Sequence, residues 1–143
     1  MFVISVIKSS ASEKDDESGS SSISQQYKEM CALRDEAYAN IQVYQEVYDE
    51  AVAEKKKLTD KMEENIAKAD KIKAKYEKSG KGMSNTDNEL VRKYMKEADK
   101  YRAEAAKYNK TISDASKKKN EWSKLYKEYK KKAEDLKKQL SNK

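Results

Sequence analysis

The chain has 143 residues, 41% of them charged, with 32 Lys and Arg against 26 Asp and Glu, a formal net charge of +6 and a mean hydropathy of −1.17. This balance excludes an ordinary globule with a central core and points to long solvated helices joined along a narrow buried seam. No histidine and a single cysteine, Cys31, exclude structural zinc, histidine-based acid–base chemistry and an intramolecular disulfide.

Residues 1–7 form an apolar run, MFVISVI. It is far too short to cross a bilayer, which takes about 20 residues. No basic residue precedes it and no small-residue cleavage site follows, so neither a membrane anchor nor a cleaved secretory signal is expected. The stretch that follows is rich in Ser, Asp and Glu, and residues 1–21 are predicted to be a disordered tail. In composition this N-terminus resembles the uncleaved secretion signals of bacterial type III export substrates.

A seven-residue repeat begins near Ser22 and predicts a first helix over 22–78. One seam position holds Tyr27, Arg34, Ile41, Tyr48, Lys55, Met62, Ala69 and Tyr76. The other holds Met30, Ala37, Tyr44, Ala51, Leu58, Asn65 and Ile72. Twelve of these fifteen are apolar or aromatic, and neither proline nor glycine interrupts them. A period of 3.5 residues keeps such a seam facing a partner along a left-handed supercoil. Cys31, beside the seam, reads as a small apolar residue.

Residues 79–86, SGKGMSNT, are the predicted loop. Gly80 or Gly82 can adopt the left-handed conformation that ends a helix, and Thr86 with Glu89 has the spacing of a capping box for the next. The second helix is predicted over 87–140. Its seam alternates small or aliphatic residues (Val91, Ala98, Ala105, Ile112, Ala133, Leu140) with rings (Tyr94, Tyr101, Tyr108, Trp122, Tyr129), and Lys119 is its polar exception. So short a loop implies antiparallel arms. The expected fold class is all-α, a long antiparallel two-helix coiled-coil hairpin.

Two registers compete. The favoured one sets Ile72 on Val91, Ala69 on Tyr94, Ile41 on Trp122 and Ala37 on Tyr126, so that large meets small. It also points Lys55 at Tyr108, Arg34 at Tyr129 and Lys119 at Tyr44, which permits cation–π contacts. A slip of one heptad would stack Tyr76 on Tyr94 and Tyr44 on Tyr126 and leave Ala37 on Ala133.

No catalytic constellation, cofactor motif or metal site is legible: no strand precedes a glycine-rich loop, and a Ser or Cys nucleophile lacks its usual base. The chain is therefore read as a non-enzyme without cofactors. Residues 117–143 hold eleven Lys against Glu121, Glu128, Glu134 and Asp135, which raises phosphate binding as an alternative function. Against it, Trp122, Tyr126 and Tyr129 belong to the seam and are not free to stack on bases. The acidic 22–53 segment also lies beside those lysines in either register.

In architecture alone the chain resembles secretion chaperones, the export stalks of flagellar and type III ATPases, and small helical partners of type VII substrates. No motif carries a functional residue over from them. The reading is an adaptor, chaperone or structural component of a bacterial secretion or surface apparatus, cytoplasmic or exported without a cleaved signal. Its partner is a protein or a second copy, engaged by helix packing. Apolar side chains that a two-stranded seam does not need mark the expected contact, at Tyr38, Val43, Val47 and Leu125, the alternative being that they only broaden the hairpin's own seam.

Overall fold

In the computed structural model, residues 22–142 are described, and the expected tail over 1–21 lies outside them. All regular structure among them is helical: α1 (Ile23–Ser79), α2 (Asn85–Ala106) and α3 (Tyr108–Ser141). Long runs of Ala, Lys, Glu and Leu without proline favour helix throughout, and no glycine falls inside one. The chain is an all-α helical hairpin in which α1 packs against a second arm made of α2 and α3.

Ser22 opens α1: its hydroxyl accepts from the Gln25 backbone N–H at 3.1 Å and its carbonyl from that of Gln26 at 3.0 Å. At the other end Gly80, with φ +71°, donates its N–H to the Tyr76 carbonyl at 3.0 Å. That is the left-handed C-terminal stop expected of glycine. The next helix starts earlier than its expected capping box. Ser84, not Thr86, is the N-cap, and its hydroxyl accepts from the Asp87 N–H at 3.2 Å. The connection is thereby trimmed to residues 80–84.

The second arm, expected as one helix over 87–140, is helical over that span apart from a single residue. It divides at Lys107, which keeps right-handed helical angles (φ −62°, ψ −25°) but bonds back only three residues, to the Glu104 carbonyl at 3.2 Å. A turn tightened in this way interrupts the regular ladder without a helix breaker.

Two compact units divide the chain. One comprises Asp49–Ile112 and contains the turn. Its core is Ala51, Ala69, Val91, Ala98 and Ala105, all on the expected seams. Tyr94 and Tyr101 stay half-buried, because a ring that covers an alanine still carries its hydroxyl out to water. Lys68 lies over the Tyr94 ring and Lys61 over Tyr101, each 5.7 Å from the centroid. The lysines that meet rings in this unit therefore stand beside the seam and cover Tyr94 and Tyr101, whereas the expected contact was that of Lys55 with Tyr108. Asn65, a polar seam residue, turns its amide back to the Lys61 carbonyl at 2.9 Å.

The other unit comprises Met1–Tyr48 with Ser113–Lys143. Its described core is Ala37, Asn40, Tyr44, Val47, Ala115 and Ala133. The register is visible in each unit. Tyr126 lies against Tyr38, next to Ala37, and Lys68 lies over Tyr94, next to Ala69. Both place the arms in the favoured register and not in the slipped one, which needs Tyr126 at Tyr44 and Tyr94 at Tyr76.

Candidate interaction surface

The four residues singled out by sequence all fall in the unit that pairs 22–48 with 113–142. Heptad spacing separates them. Tyr38 stands on one flank of the α1 seam in the row of Cys31 and Gln45, whereas Val47 stands on the other, in the row of Leu33 and Asn40 with Val43 further out.

The structure treats the two flanks differently. Val47 is only 8% exposed and belongs to the core, which corrects the expectation that it lies free of the seam. Val43 and Leu125 are half-buried. Tyr38 is 53% exposed. Its ring is nonetheless fixed, with its centroid 5.9 Å from that of Tyr126 and the planes tilted by 47°.

Beyond this pair the flank continues into polar contacts. Lys119, in the seam, extends its ammonium to the Gln45 carboxamide oxygen instead of resting on the Tyr44 ring. A long basic side chain can in this way bury its stem and keep its charge at the edge. Arg34 likewise forgoes Tyr129 and turns to its neighbour Asp35, at 3.1 Å, which raises the guanidinium pKa. One turn toward the N-terminus, a hydrogen bond with Cys31 pushes the Tyr27 phenol above its ordinary value.

Two residues of the opposite flank were not legible as special. Asn40 is 1% exposed, the largest fully buried side chain among the described residues, and its amide donates to the Glu36 carbonyl at 3.0 Å. Burial pushes the Glu36 carboxyl above its usual range. The available signal was the seven-residue row Leu33, Asn40, Val47, whose polar middle member hides a third apolar line. This side of the seam is broad and closed by the chain itself.

Around the outside, α3 carries lysine at every seventh residue: Lys117, Lys124, Lys131 and Lys138, all exposed. A row of Glu121, Glu128 and Asp135 runs beside it on the same face, and Lys118 reaches Glu121 at 3.9 Å. Elsewhere too the ion pairs join near neighbours on one helix, such as Lys56–Asp60 at 3.0 Å and Lys57–Glu54 at 3.2 Å. Exposed pairs of this kind contribute about 0.3–0.5 kcal/mol each.

Among the described residues no group of three or more Cys, Asp or Glu side chains is gathered as a metal-ligand set, and no helix is long and apolar enough to cross a membrane. No protein-family model, curated protein or solved structure matches the chain.

Proposed function

We propose that this protein is a non-enzymatic interaction module that works by helix packing, as an adaptor, chaperone or structural component of a bacterial secretion or surface apparatus. One observation carries the interaction reading: Tyr38 leaves more than half of its surface in water while its ring is held in place by Tyr126. A large amphipathic side chain already fixed in orientation loses little entropy when a partner covers it, and tyrosines so placed dominate protein–protein contacts. Half-buried Cys31 on the same flank and the polar Lys119–Gln45 contact supply an apolar patch with a polar rim.

Sedimentation equilibrium tests this reading. The wild-type chain should associate in the micromolar range, and Tyr38→Glu should sediment as a monomer with unchanged helical circular dichroism. A wild-type chain that stays monomeric at high micromolar concentration, together with a Tyr38→Glu variant that still captures its native partner, would overturn it.

The lysine row on α3 supports a second reading, phosphate contact with nucleic acid. The parallel acidic row disfavours it. Submicromolar binding to random duplex that weakens steeply with salt would move the assignment to that class.

A further inference from the structure

Near the start of α1 the two arms leave an open groove of about 340 Å³, with apolar lining from Met30 and Leu136 and a polar rim of Gln26, Glu29, Lys132, Asp135 and Gln139. Met30 and Leu136 are both half-buried. The volume is at the lower end of the range for small ligand sites, about 300–1,000 Å³, and matches a few apolar side chains better than a large ligand. We propose that this groove is the docking site of the chain's own residues 1–7, MFVISVI.

Three features point to this occupant. The first is composition: Phe2, Val3, Ile4, Val6 and Ile7 form an apolar cluster outside both heptad repeats, so no seam uses them. The second is reach. Ser22 caps α1 only one helical turn from Gln26 on the groove rim, and the fourteen residues 8–21 that join the apolar run to Ser22 can extend about 45–50 Å. A segment tethered so closely has an effective concentration on the order of millimolar, so a weak contact suffices to keep it bound.

Charge is the third. The connecting stretch carries Glu13, Asp15, Asp16 and Glu17 against Lys8 and Lys14, and the α3 surface beside the groove carries exposed Lys130, Lys131, Lys132, Lys137 and Lys138 against Glu134 and Asp135, an excess of positive charge. A docked run draws its acidic connector past these lysines, where opposite charge favours the path. The bound segment closes the apolar groove and neutralises part of the basic surface at once.

Paramagnetic relaxation in the full chain tests the proposal. A nitroxide attached at Ser9→Cys in a Cys31→Ala background should broaden the backbone amide signals around Met30 and Leu136 in dilute solution and leave those of the turn near Gly80 sharp. Adding Phe2→Asp and Ile4→Asp should restore the broadened signals without loss of helix, since neither residue belongs to α1, α2 or α3. A mixture of nitroxide-labelled, isotopically unlabelled chain with ¹⁵N-labelled chain separates the sources. Broadening confined to that mixture would mean that a second copy fills the groove, and would overturn the proposal. Absence of broadening, or broadening that survives the two aspartates, would overturn it equally.

Discussion

The ring of Tyr38 leans on that of Tyr126, 5.9 Å between centroids and tilted by 47°, one residue away from the alanine that the seam places at this level. Tyr38 is thus both a lateral support for the seam and its most exposed large apolar side chain among those described. Tyr38→Leu, which keeps apolar area against the seam, should cost about 0.5–1.5 kcal/mol of fold stability, the range of an aromatic pair. Its effect on association should be larger, because a central exposed tyrosine can contribute about 2 kcal/mol or more to an interface. Thermal melts beside sedimentation separate the two effects.

The register is checked by crosslinking. Tyr38 against Tyr126 and Gln45 against Lys119 bracket Ile41 and Trp122, which should therefore face each other. Ile41→Cys with Trp122→Cys, in a Cys31→Ala background, should form a disulfide readily on oxidation. Tyr48→Cys with Trp122→Cys should not. Reversed yields would indicate the slipped register.

Asn40 is a fully buried amide in the apolar row of Leu33 and Val47, with a hydrogen bond to Glu36 of its own helix. A buried asparagine at a coiled-coil interface sacrifices stability for a single register and assembly state. Asn40→Leu should raise the stability by about 1 kcal/mol and broaden the distribution of assembly states seen in sedimentation velocity. Lower stability with a single sharp species would assign Asn40 a purely structural hydrogen bond.

The turn is tied by Tyr76, whose hydroxyl donates to the Asp87 carboxylate and lies 3.3 Å from the Ser84 hydroxyl. Tyr76→Phe removes both contacts and keeps the ring. About 1.5 kcal/mol should be lost, the lower end of the charged-bond range because the cluster is partly solvated. Denaturant midpoints at constant slope measure it, and an unchanged midpoint would mean that Gly80 and Ser84 hold the turn without help.

Glu36 supplies the pH dependence. Its carboxyl pKa is raised in the fold by burial, so the folded chain binds a proton more tightly there than the unfolded chain does. The sign follows: its contribution favours folding below the ordinary glutamate value and is lost as pH rises through the raised folded value. Glu36→Gln should therefore melt higher than wild type at neutral pH, and the gap should close on acidification. A gap independent of pH would show that ionisation of Glu36 is immaterial.

The repeat of 3.5 residues, together with the short loop between its two runs, was sufficient to establish the all-α class, the antiparallel arms and most of the core. Ala37, Tyr44, Ala51, Ala69, Val91, Ala98, Ala105, Ala115 and Ala133 are buried where the period places them. This is legible because a helix fixes which residues share a face before any partner is known. Gly80 was likewise readable as a stop, since a positive φ is readily adopted only by a residue without a Cβ.

Tertiary structure decided what depends on the distance between two surfaces. Val47 and Asn40 are buried on a flank that a two-stranded seam leaves half open, whereas Tyr38 on the other flank remains exposed. Heptad position says which side a residue is on, not how closely the other arm approaches it. The break at Lys107 has no proline or glycine to announce it. The lysines chose between rings, carboxamides and carboxylates by the reach of flexible side chains, which places Lys68 over Tyr94 and takes Lys119 to Gln45. Contacts of this kind are set only when both arms are in position, because each contributes about a kcal/mol or less and cannot by itself fix the packing that creates it.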